Sequence, residues 1–504
     1  MNTRSQISFS KIISRLMAGL AGLLFLFLGI GFITFPDILA TAFFVQPITV
    51  QGLNSIRGDL GGLFLGMSFF CLLGAATGRN RWLVVPVIFL IIIMSGRLLS
   101  QTLDGFSAAG AQSLKIEALL LILLAAAILI QTLKPDSSKN RFRIKEILNF
   151  KVLTAAIIVA AIIAGLVLFQ NKIGLLLVEP IGTEILSADV IGNLPDGLHV
   201  ALLGTGAPLA DGRRASCSVG VIAGKDLYVV DAGPGSVRKL ELMKFRHAAI
   251  KAALLTHFHS DHIGDLGELM LKRWAGGSMN SPLDIFGPSG VEAVVAGFNQ
   301  AYSLDFKSRI LHHGPTVVPP SGAGGLARPF SFPAGAESLS IIDADGLRVT
   351  AFAVDHSPVK PAVGYRFDYK GRAVVISGDT ASTPALYHQA RGADLLLMDA
   401  LQPVLISSLK NVSRKTGREN TAAILHDIME YHASPEDGAI IANAAGVRHL
   451  ILTHILPPLP AAELKPAFLG EARKFFSGPI TIGEDGMIFS LPSGSKDILM
   501  KWLL

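Results

Sequence analysis

The sequence is poor in cysteine and in charge. Its 504 residues include two cysteines, Cys71 and Cys217, which cannot form a disulfide framework. Cys71 falls inside an apolar segment, so a bond to Cys217 is not expected, and cysteine usage says little about the redox compartment. Charged residues make up 16% of the chain, apolar residues make up 50%, and the mean hydropathy is +0.51. This balance is typical of a chain with membrane-embedded segments, and the length exceeds that of one ordinary domain.

A basic surplus is lacking from most of the chain. Residues 1–178 contain 15 Lys and Arg against 6 Asp and Glu, whereas residues 179–504 contain 29 against 32. The two net charges, +9 and −3, together give the +6 of the whole chain. The faintly acidic second part argues against a large surface that follows nucleic-acid phosphates.

Long apolar runs are present in the first part. Five segments are long and apolar enough to span a bilayer, and they lie near residues 16–36, 58–77, 82–100, 114–133 and 152–170. The letters ATA at 40–42 resemble a signal-peptide cleavage site, but the apolar stretch before them is too long for a typical signal sequence, which favours an uncleaved helix. Four charged residues near the helix ends either pair or reach separately to the interface; they are Arg57, Asp59, Arg97 and Glu117.

Basic residues predict the orientation of these segments. Arg4, Lys11 and Arg15 precede the first segment, Arg79 and Arg81 follow the second, and six Lys and Arg fill residues 134–151. These stretches lie on one side, which should be the cytoplasm, because positively charged loops stay there. With five spans, everything after about residue 175 lies outside the cytoplasm, facing the periplasm or the exterior.

The pattern changes near residue 198, where strands and helices begin to alternate. LHVALLGTG, SVGVIAG and DLYVVDAGPG are typical of strands that end at turns, and KAALLTHFHSDH is typical of a buried strand that enters a polar loop. Two helical stretches, TAAILHDIMEYH and PEDGAIIANAAG, precede the strand HLILTHI. This alternation predicts an α/β domain of roughly 300 residues.

The loop after the buried strand concentrates metal-binding side chains. His257 and His259 flank one residue at the strand end, and the two-residue period of a strand places both rings on one side. Asp261 and His262 follow at once. Imidazole and carboxylate are the ligands that zinc prefers where thiolate is absent. The loop therefore predicts a zinc site.

This loop resembles the HxHxDH motif of the metallo-β-lactamase superfamily. VVDAGPG with Asp231, VDHSPVKPAVGYRF with His356, ISGDT with Asp379 and ILTHI with His454 resemble the remaining motifs of that family, in its order. The resemblance covers residues 198–490. It implies an α/β fold of the αββα sandwich type with a two-metal site at one edge of the sandwich. The apolar runs before it predict an all-α transmembrane region of about five helices.

The resemblance assigns a role to each of these side chains. It implies that His257, His259 and His356 bind one zinc, that Asp261, His262 and His454 bind a second, and that Asp379 bridges the two. Mn²⁺ or Fe²⁺ can take the place of zinc. Asp261 is expected to take part in catalysis as well as in binding. Asp231 is expected to orient a ligand or the loop, and its alternative role is turn formation. Two metals about 3.5–4 Å apart can hold a nucleophilic hydroxide and stabilise an oxyanion.

Other stretches resemble the ribonuclease Z and arylsulfatase-like branch of that superfamily, among them LLGTGAPLADGRRAS, GELMLKRWAGG and LDIFGPSG. In ribonuclease Z, a histidine in an HST motif and a glutamate in an HEAT motif assist proton transfer. His432 in YHAS matches the first, and Asp399 in MDAL stands at the second, with Asp where the motif has Glu. His432 is a candidate proton donor for a leaving oxygen, and its alternative role is that of a helix-cap or surface histidine.

One part of ribonuclease Z is missing. Those proteins carry a long basic arm that grips tRNA, which in the bacterial short forms lies between the third histidine motif and the bridging aspartate. Here GYRFDYKGRAVVISGDT connects His356 to Asp379 directly. The missing arm, the acidic charge and the predicted extracytoplasmic position all point away from tRNA, so no nucleic-acid partner is expected.

The sequence therefore predicts a membrane-anchored dinuclear zinc hydrolase that acts on small esters outside the cytoplasm. The ester is a sulfate ester, a phosphodiester, a carboxylic ester or a lactone, and the other expected partner is the lipid bilayer; the oligomeric state is left open. One alternative is a phosphodiesterase or nuclease of the ribonuclease Z type, and another is a non-catalytic metal-binding membrane sensor, against which the complete ligand set weighs. The expected division of the chain is a four-helix transmembrane domain (1–135), a basic cytoplasmic linker (136–151), a fifth transmembrane helix (152–178), a linker (179–197), the hydrolase domain (198–493) and a tail (494–504).

Overall fold

A computed structural model describes residues 9–43, 45, 50–103, 108–132 and 170–504. The chain divides into two compact units, residues 1–178 and 179–504. The predicted basic linker at 136–151 and the predicted fifth membrane segment at 152–170 lie outside the described residues, except for Gln170, which begins a helix.

Long apolar runs form the helices of the first unit. These helices are α1 (Phe9–Thr34), α2 (Pro36–Ala42), α3 (Val50–Ser55), α4 (Gly62–Thr77), α5 (Val84–Leu103) and α6 (Ala108–Thr132), with a π-helical turn at Ile56–Gly61. Four stretches are long and apolar enough to cross a membrane by length and composition: Ile12–Thr34, Gly52–Thr77, Asn80–Ser100 and Gly110–Ile130. They coincide with the first four predicted segments, and their insertion in a bilayer stays a prediction.

Small residues and one ion pair hold these helices close together. A Cβ added to Gly29 of α1 would lie 2.9 Å from the backbone nitrogen of Leu65 in α4, so a larger residue there would push the two helices apart. Nε of Arg97 in α5 lies 2.7 Å from Oε1 of Glu117 in α6, so two of the four charged residues form a pair. Nε of Arg57 instead donates to a backbone carbonyl oxygen, that of Ile33, at 3.2 Å.

Two β-sheets form the centre of the second unit. The strands are β1 (Gly197–Gly204), β2 (Ser218–Ala223), β3 (Asp226–Val230), β4 (Ile250–Leu254), β5 (Leu283–Pro288), β6 (Gly325–Phe330), β7 (Ser338–Ala344), β8 (Leu347–Ala353), β9 (Val363–Tyr369), β10 (Arg372–Ile376), β11 (Leu395–Leu401), β12 (His449–Leu456), β13 (Ile480–Ile482), β14 (Met487–Pro492) and β15 (Leu499–Trp502). The first sheet has the order β15-β14-β1-β2-β3-β4-β5-β6, and the second has the order β13-β12-β11-β10-β9-β8-β7.

Helices cover the outer face of each sheet. The helix α7 (Gln170–Ser187) precedes the first strand. The helices that follow it are α8 (Ser236–Leu242), α9 (Ser260–Ile263), α10 (Leu266–Gly277), α11 (Val291–His313), α12 (Pro384–Ala390), α13 (Pro403–Lys415), α14 (Glu419–Asp427), α15 (Pro435–Ala445), α16 (Leu464–Leu469) and α17 (Ala472–Phe475), and several of them pack on a sheet. Leu240 of α8 and Leu269 of α10 are buried against the first sheet. Ala442 of α15 and Phe468 of α16 are buried against the second.

The sheets face each other across an apolar core. Val200 and Val221 of the first sheet are fully buried there with Phe367 and Val374 of the second. With helices outside both sheets, the layers are helix, sheet, sheet, helix. The predicted αββα sandwich is confirmed, and the strands alternate with helices because each strand buries an apolar run that the following helix covers.

Parallel strands place several chain segments at one edge of the sandwich. β3 and β4 run parallel in the first sheet, with Val230 opposite Leu254. β10, β11 and β12 run parallel in the second sheet. The carboxyl ends of parallel strands meet at the same edge, which is where ligands bind in open α/β sheets.

Two segments differ from their expected structure. The helical stretch predicted to run to His432 ends at Asp427, and Tyr431 and His432 lie in the loop before α15. Residues 494–504, expected to be a tail, include β15, which pairs with β14 in antiparallel fashion. The added strand covers the edge that β14 would otherwise leave open.

Candidate metal centre and active site

The predicted ligands converge at the carboxyl edge of the strands. His257 and His259 follow β4, His356 follows β8 and Asp379 follows β10. One potential ligand atom from each of these four residues lies within 4.8 Å of the others. Nε2 of His257 and Nε2 of His356 each lie 3.9 Å from Oδ2 of Asp379. Side chains separated by over a hundred residues in sequence thus form one cluster, in which His257, His356 and Asp379 are buried and His259 is partly exposed.

A second group of ligands shares the same carboxylate. Asp261, His262 and His454 offer ligand atoms within 4.8 Å of one another. Oδ2 of Asp379 lies 3.3 Å from Nε2 of His262 and 3.1 Å from Nε2 of His454. Asp379 therefore lies between the two groups, at the position expected for a bridging carboxylate.

The state of the buried polar atoms fits a cationic occupant. Among the described residues, Nε2 of His262, Nε2 of His356 and Oδ1 of Asp379 are buried and have no hydrogen-bond partner. A buried polar atom without a partner costs roughly 1–3 kcal/mol, so such atoms are rare unless an ion or water satisfies them. Both nitrogens lie close to the Asp379 carboxylate, whose Oδ2 is 3.3 Å from Nε2 of His262 and 3.9 Å from Nε2 of His356. Their chemistry, imidazole nitrogen and carboxylate oxygen, is that of divalent-metal ligands.

The carboxylates concentrate positive charge on two of the histidines. Burial lowers the pKa of His262, but the carboxylates of Asp379 and Asp231 raise it by more, so it lies well above its ordinary value. Burial also lowers the pKa of His454, but the carboxylates of Asp379 and Asp261 raise it by more, to about 10. His257 differs, because burial lowers its pKa to about 2. Without metal, protons on His262 and His454 balance the carboxylates, so metal binding must release protons.

Asp231 holds a ligand and the ligand loop. Its Oδ2 lies 2.8 Å from Nδ1 of His262, and a carboxylate only accepts, so Nδ1 carries the proton and Nε2 is left for a metal. The backbone nitrogen and the hydroxyl of Thr256 also donate to Asp231, both at 2.8 Å. Asp231 adopts a positive φ of 58° at the end of β3. These contacts place it behind the ligands rather than among them.

His432 and Asp399 form a hydrogen-bonded pair beside the cluster. Nδ1 of His432 lies 2.8 Å from Oδ2 of Asp399, so the ring turns its Nε2 away from the carboxylate. The His432 and His454 rings stack with centroids 5.1 Å apart. Burial raises the pKa of Asp399, but His432 and His454 lower it by more, so this carboxyl is ionised. The pair is therefore placed to hold a proton next to the predicted metals.

Three contacts around the cluster were not predicted from the sequence. The hydroxyl of Thr256 lies 3.1 Å from Nδ1 of His257. The position of Thr256 directly before the histidine motif was the one feature of the sequence from which this contact could have been predicted. The backbone oxygen of Tyr431 lies 3.1 Å from Nδ1 of His356, a contact that no sequence pattern encodes. Cys217 lies with Asp231 and His262 in one buried group, and burial raises its pKa well above the ordinary value, so it is a protonated thiol.

Comparison with known proteins adds to this geometry. Residues 227–455 match the family described as the beta-lactamase superfamily domain. The chain is 33% identical over 290 residues to ribonuclease Z of Mycobacterium avium (strain 104), covering 57% of this chain and 96% of that protein. It is 35% identical over 294 residues to ribonuclease Z of Mycolicibacterium gilvum (strain PYR-GCK), covering 57% of this chain and 94% of that protein.

Two solved structures are also similar. The short form of human tRNase Z aligns with a TM-score of 0.40 and 21% identity, covering 58% of this chain and 99% of that chain. The metallo-beta-lactamase fold protein YhfI from Bacillus subtilis aligns with a TM-score of 0.40 and 19% identity, covering 58% of this chain and 98% of that chain.

The relatives correct one expectation. The acidic charge, the absent arm and the predicted position outside the cytoplasm led to the prediction of a small ester substrate and no nucleic-acid partner. That prediction is wrong. The relatives that the chain matches over 94–96% of their length are named ribonuclease Z, and the substrate of a ribonuclease is RNA, a nucleic acid. Net charge over more than 300 residues failed as a guide because it averages over ion pairs and reveals nothing about a local cluster of unpaired cations.

Proposed function

Because the chain belongs to the metallo-β-lactamase superfamily, we propose that residues 179–504 form a metal-dependent phosphodiesterase that hydrolyses RNA. The phosphodiester is the member of the expected ester classes that the ribonuclease Z relatives support. The observation that carries the proposal is the convergence of seven predicted ligands beside the His432–Asp399 pair.

We propose that two divalent ions, zinc foremost, occupy the cluster. His257, His259 and His356 would hold one ion, and Asp261, His262 and His454 would hold the other, with Asp379 between them. When bound, such ions supply Lewis acidity and neutralise charge on the phosphate oxygens. The ribonuclease relatives and the donor set agree with this assignment, since imidazole and carboxylate without thiolate suit zinc and, less well, Mn²⁺ or Fe²⁺.

His432 is the proposed proton donor. Its Nδ1 donates to Oδ2 of Asp399 at 2.8 Å, which fixes the ring and leaves Nε2 available for proton transfer. Hydrolysis of an RNA phosphodiester releases a ribose hydroxyl, which leaves poorly as an anion and gains most from a proton. The Asp399 carboxylate stabilises the protonated imidazole in this role and acts as a positioning residue.

We further propose that the first unit anchors the enzyme in a membrane. The four candidate spans support attachment, and the basic residues that flank them support a cytoplasmic N-terminus. The sequence predicts a fifth span at 152–170, outside the described residues; with that span, the catalytic unit would face the periplasm or exterior, and its RNA substrate would be extracytoplasmic RNA.

A cleavage assay tests the proposed function. The full chain, purified in detergent and analysed for zinc, is given a 5′-labelled stem-loop RNA with a single-stranded 3′ extension. We expect metal-dependent cleavage that Asp379→Ala abolishes and that Asp343→Ala preserves, since Asp343 is an exposed carboxylate paired with Arg348. A zinc-loaded wild-type chain that leaves the RNA intact would refute the substrate, and full activity in Asp379→Ala would refute the site.

A further inference from the structure

An RNA-cleaving unit needs positive charge, which the second unit supplies sparingly. Its net charge is −3, and about half of its Lys and Arg residues lie in ion pairs, such as Arg372 with Asp394 and Lys370 with Asp196. A paired cation contributes little to phosphate binding, because its charge is already balanced. Any RNA-binding surface must therefore come from cations without acidic partners.

Four such cations lie within nine residues. They are Lys410, Arg414, Lys415 and Arg418, and none of them forms an ion pair with any residue that the structure describes. Arg414, Lys415 and Arg418 are exposed, and Lys410 is half-buried. Lys410 lies in the middle of α13, Arg414 and Lys415 at its end, and Arg418 in the short connection to α14. We refer to these four residues as the basic tip.

The basic tip is the far end of a helical hairpin that starts and finishes at the active site. α13 begins four residues after Asp399, and the backbone nitrogen of Gln402 donates to Leu456 at the end of β12 at 2.8 Å. α14 ends five residues before His432, and the backbone nitrogen of Leu401 donates to Ala433 at 2.8 Å. Both ends of the hairpin are thus hydrogen-bonded next to the proposed proton donor and its partner.

The length of the hairpin sets the distance that a substrate must bridge. The 13 residues of α13 rise about 1.5 Å each, so Lys410 lies about 10 Å along the hairpin from its base, and the other three cations lie about 17–20 Å from it. Phosphates follow one another at roughly 3.4 Å along one strand of a nucleic-acid duplex, so only an RNA of several nucleotides can contact the tip and the active site together. A mononucleotide or dinucleotide cannot do so.

We propose that the basic tip binds backbone phosphates of the RNA substrate and supplies the grip that the absent arm would otherwise provide. This inference rests on the proposed RNA-cleaving function and names the surface that selects long substrates. The hairpin exposes the apolar side chains of Val404, Val412 and Ile424, while Ile406 and Leu425 are buried in the unit's own core. RNA rather than a lipid surface is the proposed partner because both ends of the hairpin are hydrogen-bonded beside the proposed proton donor and its partner.

RNA binding by the full chain tests the proposal. The metal-free chain in detergent is titrated against the fluorescent stem-loop RNA at several salt concentrations, and anisotropy gives Kd. The variant K410Q/R414Q/K415Q/R418Q removes four charges and retains good helix formers. We expect Kd to rise on the order of tenfold or more at low salt, and the slope of log K against log salt to become shallower by up to about 0.7–0.9 per lost phosphate contact.

A matched variant removes the same charge elsewhere. Lys307, Arg473, Lys496 and Lys501 are exposed and have no ion-pair partner among the described residues, so K307Q/R473Q/K496Q/K501Q should bind RNA like the wild type. Melting temperature and bound zinc after reconstitution check that both variants are folded. Equal weakening in both variants, or unchanged binding in the first, would overturn the proposal.

Two further outcomes separate this proposal from the proposed function. A wild-type chain that cleaves RNA, together with a tip variant that binds it normally, refutes only the basic tip; a wild-type chain that neither binds nor cleaves RNA refutes both. The full chain is also placed in nanodiscs of phosphatidylcholine, with and without the anionic lipid phosphatidylglycerol. We expect residues 403–427 to exchange amide hydrogens at the same rate in both kinds of nanodisc. Protection only on the anionic discs, with normal RNA binding by the variant, would identify the tip as a membrane-surface element and overturn the proposal.

Discussion

Replacing His432 with alanine separates a proton donor from a metal ligand. In the structure, Nδ1 of His432 is committed to Asp399 at 2.8 Å, and one ligand atom of His432 lies within 4.8 Å of Asp379 and His454. The ring is therefore close enough to serve either role. A positioned acid contributes about 10²–10⁴-fold to rate, which corresponds to roughly 3–5 kcal/mol of barrier. His432→Ala should remove that contribution where the leaving group needs a proton.

The choice of substrate makes the test specific. The ribose oxygen released from RNA needs protonation, whereas nitrophenolate leaves as an anion. We therefore expect His432→Ala to slow single-turnover RNA cleavage by about 10²–10⁴-fold and to hydrolyse bis(4-nitrophenyl) phosphate at nearly the wild-type rate, with zinc content unchanged. His426→Ala is the matched control, because His426 is an exposed histidine on α14. Loss of zinc from His432→Ala would make His432 a ligand or structural support, and normal rates on both substrates would make it a bystander.

Three further predictions concern the metal, the membrane and pH. His259→Ala should lose zinc and turnover together, because each ion has few protein ligands; full zinc occupancy measured by mass spectrometry would contradict the assignment. A C-terminal alkaline phosphatase fusion should be active and a C-terminal green fluorescent protein fusion dark, and the reverse pattern would place the catalytic unit in the cytoplasm. Burial lowers the pKa of His449 to about 4. Between about pH 6.5 and 4 the unfolded chain therefore protonates this histidine and the folded chain does not, so the folded state loses stability as the pH falls through this range. After allowance for partial exposure, His449→Gln should reduce that loss by about 1–2 kcal/mol, seen as a smaller drop in melting temperature between pH 7.5 and 5, and an identical drop would show that His449 is not responsible.

Local pattern was enough to predict the elements and the candidate ligands. The alternation of apolar strands and helices predicted an α/β domain, because a strand or helix must bury its apolar face wherever it occurs, and the resemblance to the metallo-β-lactamase superfamily implied the αββα order of its layers. The spacing of His257, His259, Asp261 and His262 placed them together after a single strand end, although Asp261 and His262 lie in the short helix α9 rather than in a loop. The apolar runs in the first unit predicted helices by length alone.

Local pattern was insufficient where a role depends on contacts between distant segments. Asp399 departs from the motif it resembles, and its function became interpretable only from its distance to His432, 33 residues away. The prediction of no nucleic-acid partner was wrong, and the part of it that came from net charge failed because a sum over residues contains no information about which cations are paired. Ion pairs such as Arg372 with Asp394 form across strands, so the unpaired state of Lys410, Arg414, Lys415 and Arg418 is a property of the folded chain.

The features that the sequence predicted depend on neighbouring residues, whereas the features that only the structure showed depend on contacts between distant segments. Which side chains can bind a metal, and which segments are helical or extended, depends on chemistry and periodicity within a few residues. Whether Asp379 lies 3.1 Å from His454 and 3.3 Å from His262 depends on how two sheets pack, since the three side chains come from three separate strand ends. Convergence of the strand ends at one edge of the sandwich creates the buried space, and only the tertiary structure shows that the orphaned nitrogen and oxygen atoms face it together.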